Sequence, residues 1–160
     1  MKILLFKKER QKEESMVIKK EEYIYKARRK IGDDWVIGFP LIIKDEWYIR
    51  GENDFRSYKI KIETLCRCTG MRDVRKELLF EHDYVESMSN GLIMKICYGE
   101  YQAYCPEDKI WLPTIGFYSK AKNYKDMPIG ELPAYALRLC NKFDDNRTFC
   151  DPLSNRFNRE

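Results

Sequence analysis

The sequence has a single histidine, His82, among its 160 residues. A Ser-His-Asp triad or a Cys-His pair would therefore need that one side chain as its base. The chain also lacks a Gly-x-Ser-x-Gly motif, a P-loop and a glycine-rich dinucleotide-binding motif. The doublets Asp33-Asp34 and Asp144-Asp145 adjoin turn residues, and neighbours on a strand point to opposite faces. The sequence predicts no catalytic residue and favours a protein that is not an enzyme.

Long hydrophobic runs are absent as well. No apolar run approaches the roughly 18 residues that a bilayer-spanning helix needs, and Met1 to Phe6 is too short for a signal peptide. The protein is therefore expected in the cytoplasm. In a reducing compartment its six cysteines are expected to be free thiols rather than three disulfides.

Metal-ligand types are present, but their spacing does not favour a zinc site. Cys66, Cys68 and His82, with Cys97 or Cys105, include thiols and an imidazole. Structural zinc sites usually use two pairs of ligands two to four residues apart, whereas here one Cys-x-Cys occurs and its two thiols would share one strand face. We expect buried thiols and predict neither a metal nor another cofactor.

Aromatic residues make up 14% of the chain, and they lie in short apolar clusters separated by turn residues. This pattern predicts a mainly β fold of antiparallel strands. Asn90-Gly91 is the strongest hairpin signal, and Pro40 indicates an edge position or a bulge. The predicted strands are Tyr23 to Ala27, Trp35 to Ile43, Trp47 to Arg50, Tyr58 to Glu63, Asp83 to Met88, Leu92 to Cys97, Tyr101 to Cys105 and Ile115 to Tyr118.

One or two short helices are predicted near the ends. Residues 7–22 consist mostly of good helix formers and indicate a helix or a frayed arm, with a short strand at 16–19 as the alternative. Residues 131–143 have apolar residues near helical spacing, provided that Pro133 lies in the first turn. The chain then divides into a charged arm (1–22), a β-rich domain (23–147) and a loosely held tail (148–160).

Positive charge is concentrated at the N-terminus. Residues 1–30 hold eleven Lys or Arg against five Glu, whereas the remainder holds nineteen against twenty-one acidic residues. Lys26, Arg28, Arg29 and Lys30 are candidate contacts for a nucleic acid or another partner, with Lys26, Arg28 and Lys30 on one face if the segment is a strand. The alternative is a solvated strand and turn without a binding role.

Two ordered segments carry a family resemblance. Thr64 to Asp73 (TLCRCTGMRD) and Leu79 to Val85 (LFEHDYV) are similar to the signature of the YopX-like family of phage and prophage proteins. Flanking blocks at 25–39 and 139–146 agree with it, so the resemblance covers about residues 23–147. His82 and Cys140 depart from the family pattern, because they replace glycines. The matching residues are Trp35, Gly38, Thr64, Thr69, Gly70, Asp73, Glu81, Asp83, Val85, Asn141 and Asn146.

The resemblance implies a mainly β fold with a small SH3-like barrel, encoded by a mobile element and present in the bacterial host cytoplasm. It supplies no catalytic residue. From turn chemistry we expect Thr69-Gly70 to end a strand and Glu81-His82-Asp83 to form a turn. The alternative is an acid and base cluster of Asp73, Glu81, His82 and Asp83.

The absence of a catalytic constellation, together with the aromatic content, favours a non-catalytic phage or prophage accessory protein that binds a macromolecule. A host or phage protein is the preferred partner, because a rigid sheet with a few aromatic anchors suffices for such binding. The alternative is a nucleic-acid-binding regulator that uses the basic N-terminal third. The identity of the partner and the oligomeric state do not follow from the residues.

Overall fold

The computed structural model describes residues 20–144, which form two antiparallel sheets. The mainly β prediction is confirmed, and helical structure in this part of the chain is limited to three short 3-10 helices, Lys20–Tyr23, Ile62–Thr64 and Leu132–Tyr135. Within residues 20–144 no helix is long and apolar enough to cross a membrane. The predicted tail, Asn146 and nearly all of the predicted arm lie outside the described residues.

The first sheet has six strands in the order β4-β3-β2-β1-β5-β6. One isolated bridge between Arg29 and Ile60 links the end of β1 to the residue after β4, so the sheet curls. The expected SH3-like barrel is not closed, because a single bridge does not replace a ladder of paired strands. The strands are β1 (Tyr25–Arg28), β2 (Trp35–Ile43), β3 (Glu46–Gly51), β4 (Ser57–Lys59), β5 (Cys66–Arg72) and β6 (Leu78–Phe80).

Turn chemistry sets the register of the first sheet. Lys44 and Asp45 both have positive φ, 49° and 64°, and connect β2 to β3 as a tight two-residue hairpin. Pro40 pairs with Ile49 on β3, whereas β1 pairs with β2 only up to Gly38. Among the described residues, the part of β2 that contains Pro40 is therefore paired on one side only, and the predicted edge position is confirmed.

The second sheet has five strands in the order β10-β9-β8-β7-β11. Asn90-Gly91 connects β7 to β8, with Gly91 at a φ of 67°, as predicted. The separate strands predicted at 92–97 and 101–105 are one strand of 13 residues. The strands are β7 (Asp83–Ser87), β8 (Ile93–Cys105), β9 (Ile110–Lys120), β10 (Met127–Pro128) and β11 (Ala136–Asn141).

The late helix prediction was wrong. Residues 132–135 form one 3-10 turn with Pro133 in it, and residues 136–141 form β11, which pairs with β7. The strand predicted at 58–63 is also shorter, because β4 ends at Lys59 and Ile62–Thr64 is a 3-10 helix. In the late segment the pairing of β11 with β7 overrides the local helical pattern.

Two turns were predicted from the motif residues; the first prediction is wrong and the second is confirmed. Thr69 and Gly70 do not end a strand; they lie inside β5 at an irregularity of the β5–β6 register, where Gly70 has a φ of 74°. His82 forms the predicted turn with Glu81 and has a φ of 66°, a conformation that favours glycine. Cys140 lies in β11 without positive φ, so its replacement of a family glycine requires no such conformation.

Three clusters of buried side chains form the core. One lies around the second sheet and two belong to the first sheet. The outer half of the β8–β9 hairpin, residues 98–115, contributes to none of them, and we call it the outer ribbon. The buried members are Leu79, Val85, Met94, Ile96, Ala121, Ile129 and Ala136; then Ile24, Cys66, Cys68 and Phe80; then Ala27, Val36, Ile49 and Ile60.

Candidate functional site

The basic segment is only partly a surface. Lys26 is 4% exposed, and its ammonium lies 2.7 Å from Oδ1 of Asp83. Of the four candidate contacts in this segment, Lys26 is therefore not accessible to a partner, because the Lys26 side of β1 packs against Asp83 of the second sheet. Lys30 is exposed.

The two arginines of this segment already have partners. Arg28 donates hydrogen bonds to the carbonyl oxygens of Asp33 (2.6 Å) and Phe143 (3.0 Å). Arg29 lies 2.9 Å from Oδ2 of Asp34 and 4.4 Å from the centre of the Tyr58 ring. These contacts hold the β1–β2 turn, so binding a phosphate with either guanidinium would require competition with them.

Four residues from three strands meet in a buried polar cluster, which we define as Lys26, Asp83, Arg138 and Asn141. Asp83 is fully buried, and both of its oxygens are occupied. Oδ1 lies 2.7 Å from Lys26 Nζ and accepts a 2.7 Å hydrogen bond from Asn141 Nδ2. Oδ2 lies 3.0 Å from Arg138 Nε and accepts a hydrogen bond from the backbone N–H of Phe80. The cluster joins β1 of the first sheet to β7 and β11 of the second.

The chemistry of this cluster is that of a structural joint. Burial lowers the pKa of Lys26, and the opposing attraction of Asp83 does not restore it. Burial also raises the pKa of the neighbouring Cys66 thiol to about 12, so Cys66 is protonated at neutral pH and is a poor nucleophile. A buried charge network of this kind is costly to break, since each member would be left without compensation.

Asp73 stabilises the turn that follows β5. Its carboxylate accepts hydrogen bonds from the backbone N–H groups of Arg75, Glu77 and Arg138. Burial raises the pKa of Asp73, but the three backbone donors outweigh it and hold the pKa below its usual value.

The remaining motif residues have packing or hydrogen-bonding roles. Thr64 Oγ1 accepts from the N–H of Arg28, and Thr69 Oγ1 donates to the carbonyl of Leu79. Trp35 Nε1 donates to Asp144. A Cβ atom on Gly38 would lie 1.9 Å from the carbonyl oxygen of Arg50, so only glycine fits there. Val85 belongs to the core.

The geometry gives little support to the alternative interpretation, in which Asp73, Glu81, His82 and Asp83 form an acid and base cluster. Nε2 of His82 lies 3.6 Å from Oε1 of Glu81. Burial lowers the pKa of His82 to about 4 and raises that of Glu81. The carboxylates of Asp73 and Asp83 are occupied by the donors described above. Among residues 20–144 no group of three His, Cys, Asp or Glu side chains is placed to hold a metal ion.

A second region, which the sequence analysis did not assign, is the outer ribbon. Its register pairs Glu100 with Ile115, Gln102 with Pro113 and Tyr104 with Trp111, so all of these side chains lie on one face. The period-two spacing of Gln102, Tyr104, Trp111 and Pro113 was visible in the sequence. What the sequence could not indicate was that these two stretches belong to one long hairpin.

The hairpin bends back towards the chain that follows it. Lys125 Nζ lies 4.2 Å above the Trp111 ring, although Lys125 is two residues before Met127, which pairs with Ser119. A straight strand from 111 to 119 would span about 26 Å, beyond the reach of that side chain. The paired glycines Gly99 and Gly116 lie between these sites, Gly99 with a φ of 147°, and the rings of Tyr101 and Tyr118 stack 4.9 Å apart.

The bend creates a groove between the ribbon and residues 124–128. Its main part has a volume of about 720 Å³ and adjoins a smaller part of about 320 Å³. Three aromatic side chains are exposed there, Tyr104 by 46%, Trp111 by 41% and Tyr124 by 57%. We call it the ribbon groove and define it by Glu100, Gln102, Tyr104, Trp111, Pro113, Tyr124, Lys125 and Asp126.

Comparison with known proteins does not assign a role to either region: no family model, no curated protein and no solved structure matches the chain. The resemblance to YopX-like proteins therefore stays a prediction.

Proposed function

We propose that this chain is a non-catalytic binding protein whose ribbon groove holds a segment of another protein. The observation that carries the proposal is the convergence of Tyr104, Trp111 and Tyr124 in a groove that none of the three core clusters uses. These side chains do not belong to the core, and three large exposed rings that line one groove are typical of an interaction site.

The physical basis is the energetics of aromatic anchors. Tyr and Trp combine a large contact area with few rotatable bonds, and they dominate the binding energy of many protein interfaces. The ring centres of Tyr104 and Trp111 lie 5.1 Å apart at a tilt of 47°, which restricts their rotation. A partner side chain placed between them and Tyr124 would be desolvated on several sides.

The biological setting belongs to the same proposal. The resemblance to YopX-like proteins supports a phage or prophage accessory protein that acts in the cytoplasm of a bacterial host on a host or phage protein. The alternative, a nucleic-acid-binding regulator, has less support, because Lys26 is buried and Arg28 and Arg29 are engaged in contacts within the fold.

The test is a capture experiment with matched surface variants. Wild-type chain, the double variant Trp111→Ala/Tyr124→Ala and the control Trp47→Ala, whose ring is 37% exposed on the first sheet, are immobilised and exposed to lysate from bacteria that carry the protein. We expect a protein retained by wild type and Trp47→Ala and lost by the double variant. Full retention by the double variant would refute the proposal, and nuclease-sensitive retention would favour the nucleic-acid alternative.

A further inference from the structure

We infer that the segment bound in the ribbon groove is a proline-rich peptide in the polyproline II conformation with an Arg or Lys close to its prolines. This inference rests on the proposed function and specifies the chemistry of the partner. It follows from three properties of the groove: the edge of β9, the unused hydrogen-bond donors and the distribution of charge.

The edge of β9 disfavours an added β-strand. The backbone N–H of Ile129 donates to the carbonyl of Phe117, so the backbone groups of Phe117 point away from β8. With unbroken pairing the same holds for Ile115, Pro113 and Trp111. Pro113 has no N–H, so a strand added along this edge would lose a hydrogen bond in the middle of its ladder.

A polyproline II peptide, unlike an added β-strand, does not need a row of free backbone groups on the edge of β9. Its carbonyl groups have no internal partners, and it docks in aromatic grooves through proline rings and through hydrogen bonds to those carbonyls. The groove presents suitable donors in Trp111 Nε1, the hydroxyls of Tyr104 and Tyr124, and the amide of Gln102. None of these groups donates a side-chain hydrogen bond to another of residues 20–144. The tilted pair of Tyr104 and Trp111 forms one wall for a proline ring and Tyr124 the opposite one.

The charge of the groove indicates the flanking residue. Glu100 and Asp126 both line it, whereas Lys125, the one cation among the described residues that line it, lies over the Trp111 ring. An Arg or Lys beside the prolines would meet two carboxylates, and an acidic residue would be repelled. The bound cation can also compete with Lys125 for the electron-rich face of Trp111.

The experiment uses an array of twelve-residue peptides with two prolines in a Pro-x-x-Pro spacing and one Arg at either end. Each has two matched controls, one with both prolines replaced by Ala and one with Arg replaced by Glu. Binding to the full chain is followed by NMR titration of the Trp111 indole N–H. We expect the best peptides to bind at least about tenfold more tightly than either control, which is about 1.4 kcal/mol.

Chain variants connect the binding to the groove. Trp111→Ala should weaken the best peptide at least about tenfold, with chemical shifts elsewhere in the protein as readout, whereas Trp47→Ala should not change it. Asp126→Asn should weaken the Arg peptide and, because it removes one of the two repelling carboxylates, strengthen the Glu control. All variants are checked by circular dichroism, and Tyr124→Phe, which removes only a hydroxyl, serves as a second test if Trp111→Ala does not fold.

Each result bears on the inference separately from the proposed function. If Pro-x-x-Pro peptides bind no better than their Ala controls, the inferred ligand class is wrong, although the captured protein can still depend on Trp111 and Tyr124. If the chain instead self-associates with rising concentration and Trp111→Ala abolishes this, a second copy is the occupant and the inference is also overturned.

Discussion

The buried polar cluster and the ribbon groove show two uses of polar and aromatic side chains in one small β protein. In the cluster, Asp83 is fully enclosed and receives two cations and two hydrogen bonds. In the groove, Trp111 and Tyr124 are about half exposed, and their polar atoms donate no side-chain hydrogen bond to any of the described residues. The cluster fixes one sheet against the other, whereas the groove leaves its interaction capacity available to another molecule. Charged residues that are typical of functional sites can therefore be structural, and aromatic residues that are typical of a core can instead line a surface groove.

The largest effect is expected when the charge of Asp83 is removed, because this tests whether the cluster holds the two sheets together. Asp83→Asn leaves Lys26 without its counter-charge in the interior and removes the nearest carboxylate of Arg138, which keeps Glu77 and Asp144 at 3.8 and 4.0 Å. We expect it to reduce the free energy of unfolding by about 3–5 kcal/mol. Urea denaturation measures the change. Glu107→Gln, which removes a carboxylate from the exposed tip of the hairpin, is the control and should alter stability by less than about 0.5 kcal/mol. Equal effects of the two substitutions would show that the cluster is not the joint described above.

The bend of the outer ribbon offers a second test with an internal control. Gly99 and Gly116 are cross-strand partners, and a Cβ atom on either would meet no other atom within 4 Å. Only Gly99 has positive φ, 147°. Gly99→Ala should therefore cost about 1–3 kcal/mol through backbone strain, whereas Gly116→Ala should be close to neutral.

Thermal unfolding gives the stability change for both glycine variants, and the NMR signal of the Trp111 indole reports on the groove. We expect that signal to shift in Gly99→Ala and to stay in place in Gly116→Ala. A loss of stability in Gly116→Ala of the same size would indicate that packing, not backbone conformation, determines the bend.

The smallest effect is expected from acid. The pKa of His82 in the fold is lowered to about 4 by burial and then by Lys95 and Lys142, so protons bind the unfolded chain more readily. Stability from this group is present above its ordinary pKa of about 6.5 and is lost as the pH falls towards 4. The pKa of Glu81 is raised by burial, so Glu81 contributes with the opposite sign over the acidic range.

His82→Asn isolates the contribution of the histidine. Asn tolerates positive φ and does not titrate, so its stability should fall less than that of wild type between pH 6.5 and 4, by a difference on the order of 1 kcal/mol. Urea denaturation at several pH values measures it. Parallel pH profiles for the two proteins would exclude His82 as a source of acid sensitivity.

The sequence predicted much of the fold because turn residues and strand periodicity are local signals. The predicted hairpin at Asn90-Gly91 forms, and the predicted edge position of Pro40 is confirmed. The helix prediction for residues 131–143 was wrong because the apolar residues of the short strand β11, which pairs with β7, also satisfy a helical spacing. No local signal reports the partner strand.

The candidate sites were harder to predict than the strands. Lys26 looked like an exposed cation of a basic run, and its burial depends on Asp83, which is 57 residues away. The ribbon groove depends on a bend that brings residue 125 to Trp111. The spacing of residues in the sequence does not show that Lys26 lies near Asp83 or that Lys125 lies near Trp111. The glycines at 99 and 116 did mark positions where the chain could bend.

The separation of the outer ribbon from the core clusters has a consequence for how such a protein changes over generations. Residues 98–115 take part in none of the three clusters, and all of them except Tyr101, which is 8% exposed, are exposed or half-buried. Replacing side chains other than that of Tyr101 therefore removes little buried apolar area and little stability. Inherited substitutions in the ribbon can therefore alter which ligand is preferred while the two sheets stay folded. Under the proposed binding role, a lineage could diversify this surface one residue at a time, with Gly99 and the buried Tyr101 as the positions that tolerate the least change.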